Sequence, residues 1–289
     1  MCAHIMSDDQ IEPPEIHAED ILVIDDPAFG TDTVAVVTGA ASGIGRATAI
    51  ALAANGLTVA ATDIDEDGLA ETKARSEAVG TGGRIVTIPG DLTSDADIEH
   101  IVEEAATLGT IKYLLNIAGA QHISPIADFP METYDQLHAI LLRAPLYLTK
   151  LCLPQMRDSA DGRGCIGNMC SAHGHYVTAD KVAYNISKFG LRGLTQSIAA
   201  EGDGAIRSFT VSTEYVKTPL VTDQIPDTAE QRGVTPEEGV SDIMLAESRS
   251  TEMMDPIEVA NLFTFGLSHH GQHLNGGDLT WDGGMTLTY

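Results

Sequence analysis

Tyr184 and Lys188 stand four residues apart, a spacing that stacks two side chains on one helical face about one turn apart. A lysine ammonium beside a phenol favours the phenolate. The pair can therefore pull a hydroxyl whose ordinary pKa is about 10 towards working pH. A phenol tuned in this way is a general base for an alcohol proton. Ser171, upstream on a separate strand end, offers a second hydroxyl to the same substrate oxygen. Alone, Tyr-x-x-x-Lys also occurs on many solvated helix faces, so its meaning rests on the elements that position it.

Those elements alternate. Thr33 to Val37 is β-branched and apolar after its first residue, as suits a strand buried on both faces of a parallel sheet. It leads into Thr38-Gly39-Ala-Ala-Ser42-Gly43-Ile44-Gly45, and a helix pattern runs from about Arg46 to Asn55, stopped by Gly56. Strands are predicted at 58–62, 84–88, 112–117, 164–170, 207–212 and 278–281. Helices are predicted at 95–108, 132–156, 183–200 and 256–267. This order means βαβ units and one doubly wound parallel sheet of Rossmann type, with helices on both faces. Residues 1–32 read as an acidic leader, an edge segment or tethered arm, and 33–289 as a single domain. Within it, 222–255 is long, Gly- and Pro-marked and weakly periodic, the pattern of a substrate lid.

The Gly-rich turn between a buried strand and a helix is built for a pyrophosphate. Glycines allow the tight turn, and backbone N–H groups at the helix start meet the phosphates. Asp63 closes the next strand, 18 residues past Gly45, where a carboxylate accepts from ribose hydroxyls and repels a 2′-phosphate. The turn holds no Arg or Lys, Arg46 coming just after it, so the expected cofactor is NAD rather than NADP. Asp91-Leu92 follows the third strand, where the Asp either accepts from the adenine amine or caps a helix. Asn116-Ile-Ala-Gly119 ends the fourth, with Gly119 allowing close approach near the nicotinamide ribose.

Composition narrows the partners. Net charge is −26, from 42 acidic and 16 basic residues spread along the chain, which excludes nucleic acid and anionic membrane as general partners. No apolar run approaches the roughly 20 residues that span a bilayer. The four cysteines, Cys2, Cys152, Cys165 and Cys170, show no Cys-x-x-Cys spacing, which fits a reducing, cytoplasmic setting. His269-His-Gly-Gln-His273 lacks a carboxylate or thiol partner at zinc spacing and reads as a solvated turn, so no metal is expected.

Together these pieces resemble the short-chain dehydrogenase/reductase family, over about Val34 to Gly284. The Thr38–Gly45 turn, Asp63, Asp91, Asn116-x-Ala-Gly119, Ser171, Tyr184-x-x-x-Lys188 and Asp282-Gly-Gly284 stand in family order. The resemblance implies catalysis by Ser171, Tyr184 and Lys188. It implies cofactor contacts from Gly39, Ser42, Gly43, Ile44, Gly45, Asp63, Asp91, Leu92, Asn116 and Gly119, besides Tyr184 and Lys188. Within the family the chain is most similar to the 3-hydroxybutyrate dehydrogenases, through Gln121-His-Ile-Ser-Pro, Ser171-Ala-His173-Gly, Lys181-x-x-Tyr184 and Thr218-Pro-Leu-Val-x-Asp-Gln224. That likeness implies that Gln121, His173, Lys181 and Gln224 hold a substrate carboxylate. A small carboxylated alcohol or ketone is then the substrate, and a homotetramer the assembly.

Two positions depart from the family pattern. Leu141 stands where an Asn usually kinks the helix and, through water, relays protons from the lysine; His138 and Arg143 lie nearby as substitutes. Thr213-Glu214 replaces a Pro-Gly pair beside the nicotinamide. Two other readings remain: the same chemistry on a sugar, polyol or other oxo acid, and a non-catalytic NAD-binding scaffold or sensor.

An acidic surface with only six lysines stays hydrated in strong salt, which points to a halophilic source. Dialysis from molar to millimolar salt is expected to unfold the protein as self-repulsion loses its screening. Far-UV circular dichroism through the dialysis checks this; an unchanged spectrum would contradict it.

Overall fold

A computed structural model describes residues 13–80, 82–226, 229, 233–246, 248–250 and 252–287. The strands are β1 (Thr33–Thr38), β2 (Thr58–Thr62), β3 (Arg84–Thr87), β4 (Thr110–Asn116), β5 (Gly164–Met169), β6 (Ile206–Thr213) and β7 (Asp278–Trp281). They form one sheet in the order β3-β2-β1-β4-β5-β6-β7, with every pairing parallel. The strand order reverses between β1 and β4, and a crevice opens there above the strands' carboxyl ends.

Alternation along β1 explains both layers. Ala35 and Val37 face one core, shared with α1 (Gly43–Ala54) and a late helix, α7 (Pro256–Leu267). Val34 and Val36 face the other, shared with α3 (Asp95–Thr107), α5 (Ala144–Arg157) and α6 (Val182–Glu201). A strand apolar on both sides can only lie between two helical layers.

The structure adds α2 (Glu66–Val79), which the apolar pattern does not reveal. Its buried positions are Gly68, Leu69, Thr72 and Ser76, mostly small or polar, and Asp65 caps its start by accepting from the Gly68 N–H at 3.1 Å. The long helix expected at 132–156 is α4 (Met131–His138) running into α5 through a π-helical turn at Ala139–Arg143.

The leader is expected to be an edge segment or a loose arm; residues 1–12 lie outside the described residues, and the rest is docked. The Leu22 N–H donates to Asn261 Oδ1 at 2.8 Å, and the Ile24 N–H to Asn55 Oδ1 at 2.8 Å. Ile21 enters the core. Asp26 takes the His269 N–H at 2.6 Å and its ring Nδ1 at 2.9 Å, which accounts for the first residue of the histidine-rich turn.

Part of 222–255, including residues 227, 228, 230–232, 247 and 251, lies outside the described residues. Its described part carries a small apolar cluster of its own. Ile225, Val240, Met244, Leu245 and Met253 are buried together, with Tyr215 and Val221 packed against them.

Candidate active site

The Gly-rich turn is sterically compelled. A Cβ on Gly45 would lie 2.0 Å from the Gly39 carbonyl oxygen, and one on Gly39 2.7 Å from the Ala118 Cα. Gly39 and Gly43 also hold positive φ, +69° and +51°. Thr38 Oγ1 accepts from the Ile117 N–H at 2.9 Å and the Ala118 N–H at 3.1 Å, drawing the ends of β1 and β4 together. Ser42 is the N-cap of α1, and its hydroxyl makes no capping bond.

These parts open into a cleft of about 460 Å³ lined by Gly39, Ser42, Gly43, Ile44 and Gly45. Asp63, Asp91, Leu92 and Gly119 line it too, as do Ser171, Tyr184 and Lys188. The glycine cradle, the exposed helix start and a carboxylate at the end of β2 fit a dinucleotide. Asp63 is held in place by the Ala41 N–H on Oδ2 and the Asp65 N–H on Oδ1, both at 3.1 Å.

Asn116 is not among the cleft residues. It is buried, and its Nδ2 donates to Asn168 Oδ1 at 2.8 Å, tying β4 to β5 inside the sheet. Asp91 is not the cap of α3; Ser94 is, accepting from the Asp97 N–H, while Asp91 Oδ1 accepts from Thr93 at 2.8 Å. Arg143 is drawn outward to Asp95, Nη2 to Oδ2 2.8 Å, and His138 stacks on Tyr134, so neither substitutes for the missing Asn. Leu141 is buried with Leu137 and Ala183 against Tyr184, and the helix unwinds there without any amide side chain.

Lys188 is buried at 3% exposure, its Nζ donating to the Met169 carbonyl at 2.7 Å and lying 5.2 Å from the Tyr184 ring centroid. The sequence predicts a phenol pulled down by this cation; the balance here is the reverse. Desolvation pushes Tyr184 up to about 12, opposed by its hydrogen bond with Ser171, and pushes Lys188 down to about 8. The ammonium donates to a backbone carbonyl on β5 and lies over the face of the Tyr184 ring.

Next to the cleft is a smaller cavity of about 60 Å³, and four expected substrate residues meet there: Gln121, His173, Lys181 and Gln224. Ser171 and Tyr184 form the wall shared with the cleft. Gln121 Nε2 donates to Gln224 Oε1 at 3.2 Å, so the two amides bridge chain segments a hundred residues apart. Lys181 is partly desolvated, which lowers its pKa. His173 is the least available of the four. Its Nδ1 faces Ser171 Oγ at 3.4 Å and its Nε2 faces Thr178 Oγ1 at 2.9 Å, while burial, then the charges of Lys181 and Lys188, push it down to about 4.

Glu214 lines both cavities. Its Oε1 accepts from Ser248 Oγ at 3.0 Å, and its Oε2 is buried without a protein partner. Desolvation pushes this carboxyl up to about 7, with the Ser248 bond opposing and Asp282 adding to the rise. Thr178 and Met169 carry no sequence signal as site residues; only the folded loop and strand end bring them to His173 and Lys188.

The family model described as short chain dehydrogenase matches residues 33–229. A D-beta-hydroxybutyrate dehydrogenase of Rhizobium meliloti (strain 1021) is 32% identical over 254 residues, covering 87% of this chain and 98% of that protein. One from Cupriavidus necator is 33% identical over 252 residues, covering 86% and 96%. The crystal structure of levodione reductase superposes with a TM-score of 0.82 at 27% identity, over 90% of this chain and 100% of that one.

Because the folded pKa of Glu214, about 7, exceeds its ordinary 4.5, folding loses stability as pH rises through that interval. Glu214→Gln is therefore expected to melt about 2–4 °C above the parent at pH 8. The difference should vanish at pH 4, where both states of the parent are protonated; calorimetry at the two pH values measures it.

Proposed function

The chain belongs to the short-chain dehydrogenase family, and from that premise we propose that it is an NAD-dependent dehydrogenase of short 3-hydroxy acids resembling 3-hydroxybutyrate. The observation that carries this reading is the small cavity in which Gln121, Lys181 and Gln224 sit against Ser171 and Tyr184. A cation and two amides at one end suit a carboxylate. The hydroxyls at the other end suit an alcohol a few bonds away. The relatives named D-beta-hydroxybutyrate dehydrogenase support the same substrate.

Arg46 supports NAD over NADP. Its guanidinium is committed to Glu71 at 2.7 Å, to Thr72 at 3.0 Å and to the Ala41 carbonyl, while Asp63 lines the ribose end of the cleft. Bound NAD supplies the hydride acceptor, and its positive ring favours the phenolate form of a nearby tyrosine. Tyr184 removes the hydroxyl proton. Ser171 orients the substrate oxygen and donates to it as charge develops. Lys188, its ammonium fixed on the Met169 carbonyl, stands at the nicotinamide-ribose end of the cleft. From the described part of 222–255, Gln224 lines the small cavity and supports a lid role for that segment.

A second reading, a neutral polyol or sugar substrate, is favoured by one observation: Glu214 adds a carboxyl to the same cavity. We extend the proposal to a homotetramer in the cytoplasm of a halophile. Leu146 at 54%, Ile186 at 46% and Phe189 at 44% exposure on α5 and α6 supply apolar surface for subunit contacts. No helix among the described residues is long and apolar enough to cross a membrane.

Tyr184→Phe is expected to lower kcat at least a thousandfold while NAD affinity, read by fluorescence titration, stays within about twofold; near-parental turnover would end the assignment. Lys181→Ala should lower kcat/KM for 3-hydroxybutyrate about a hundredfold and leave uncharged alcohols unaffected, as a lost charge-assisted contact of about 2–3 kcal/mol predicts. Equal losses on both classes would favour the polyol reading.

A further inference from the structure

Once Tyr184 has taken the alcohol proton it must release it before the next turnover, and the groups around it limit the routes. Towards α4 and α5 the phenol meets Leu141, which is 1% exposed and has no polar atom to offer. Towards the sheet it meets Lys188, whose Nζ is committed to the Met169 carbonyl at 2.7 Å. The polar contacts continue in a third direction. Ser171 lines both cavities beside Tyr184, and its hydroxyl acts as a hydrogen-bond partner that lowers the phenol's pKa. Its Oγ lies 3.4 Å from His173 Nδ1, and His173 Nε2 lies 2.9 Å from Thr178 Oγ1. Ser171 and His173 are buried and Thr178 only partly so, which makes Thr178 the outermost group of the chain.

We propose that Ser171, His173 and Thr178 form a proton wire that carries the substrate's proton from Tyr184 to solvent, with His173 and Thr178 as its relay residues. This rests on the dehydrogenase reading and assigns His173 a task other than gripping a carboxylate.

The donors and acceptors balance along the whole chain. Ser171 Oγ accepts the His173 backbone N–H at 3.2 Å; once the oxidised product no longer takes its proton, the hydroxyl turns to donate to Nδ1. With Nδ1 accepting, the ring is the Nε2–H tautomer and donates to Thr178. In one oxidation the alcohol proton passes to the Tyr184 phenolate as hydride leaves the carbinol carbon for NAD. The phenol proton then moves to Ser171 Oγ as the Ser171 proton moves to Nδ1. The Nε2 proton passes to Thr178 Oγ1, whose proton goes to water. One proton enters and one leaves, Tyr184 is again a phenolate, and the ring stays neutral; His173 is left as the Nδ1–H tautomer and returns to the Nε2–H form by proton exchange before the next oxidation. Reduction runs the chain backwards. A neutral imidazole is required, and burial together with Lys181 and Lys188 keeps this ring neutral. The exit is fixed in place as well: the Thr178 carbonyl accepts from Asn185 Nδ2 at 2.9 Å, one residue past Tyr184 on α6.

Thr178→Val cuts the wire at its outer end, removing from the site only the hydroxyl that faces His173 Nε2, and Thr178→Ser keeps that hydroxyl. Both would be compared with the parent on D-3-hydroxybutyrate and NAD, or on whichever alcohol of a panel is oxidised fastest. Thr178→Val is expected to lower kcat about tenfold or more, to raise its solvent deuterium isotope effect and to leave KM unchanged; Thr178→Ser should restore both. An unchanged kcat and isotope effect, or a change in KM alone, would overturn the relay while leaving the dehydrogenase intact. If the parent oxidises no alcohol in the panel, the dehydrogenase reading falls and the relay with it. A readout independent of turnover is 15N NMR of histidine-labelled parent protein at pH 7. A neutral His173 in the Nε2–H form is expected; an Nδ1–H or doubly protonated ring would overturn the wire.

Discussion

A single buried cation organises this molecule. Lys188 sits at 3% exposure between sheet and helix, where an uncompensated ammonium would be costly to fold around. Its compensation is one backbone carbonyl, Met169, the last residue of β5. That bond fixes the distance from the end of β5 to the second turn of α6, and with it everything on the intervening loop. Ser171, His173 and Tyr184 are all placed by the same short crossover. The cost shows in the lysine itself, held near pKa 8. Such a charge is kept at neutral pH and lost as pH rises past about 8, and the polar contacts on the opposite side of Tyr184 gain importance there.

The sheet was legible because β1 is apolar from Val34 to Val37, which leaves it no face for water. The dinucleotide cleft was legible because the need for glycine is local: Gly45 packs on the Gly39 carbonyl within its own turn. α2 was not, because it covers the sheet with Thr72 and Ser76 rather than with a stripe of large apolar residues. Asn116 shows another limit. Its position at the end of a central strand suggests the cofactor, but its neighbour across the sheet, Asn168, is set by strand register and cannot be read from spacing. The order of the Tyr184 and Lys188 pKa values was hidden for a similar reason. Four-residue spacing puts the two on one helical face, while the direction of the ammonium depends on a carbonyl from another element.

The two departures from the family pattern have different structural outcomes. At Leu141 the π-helical turn persists although the polar side chain is gone, so the local geometry comes from packing against Leu137 and Ala183 rather than from an amide. At Glu214 a carboxyl has been inserted between the two cavities and is left with one partner, Ser248, and one orphan oxygen. The first change removes a polar group from the catalytic surroundings and the second adds one on the opposite side.

The docked segment before β1 has a consequence for biosynthesis. Leu22, through Asn261, and Asp26, through His269, pair residues more than two hundred positions apart. A ribosome adds roughly 5–20 residues per second, so the early residues wait many seconds for α7 to be made. During that interval Ile21 and the face of α1 that α7 covers have no permanent cover. The nascent chain therefore cannot close its first core layer until translation is nearly finished, and a chaperone able to shield apolar surface would act on that layer.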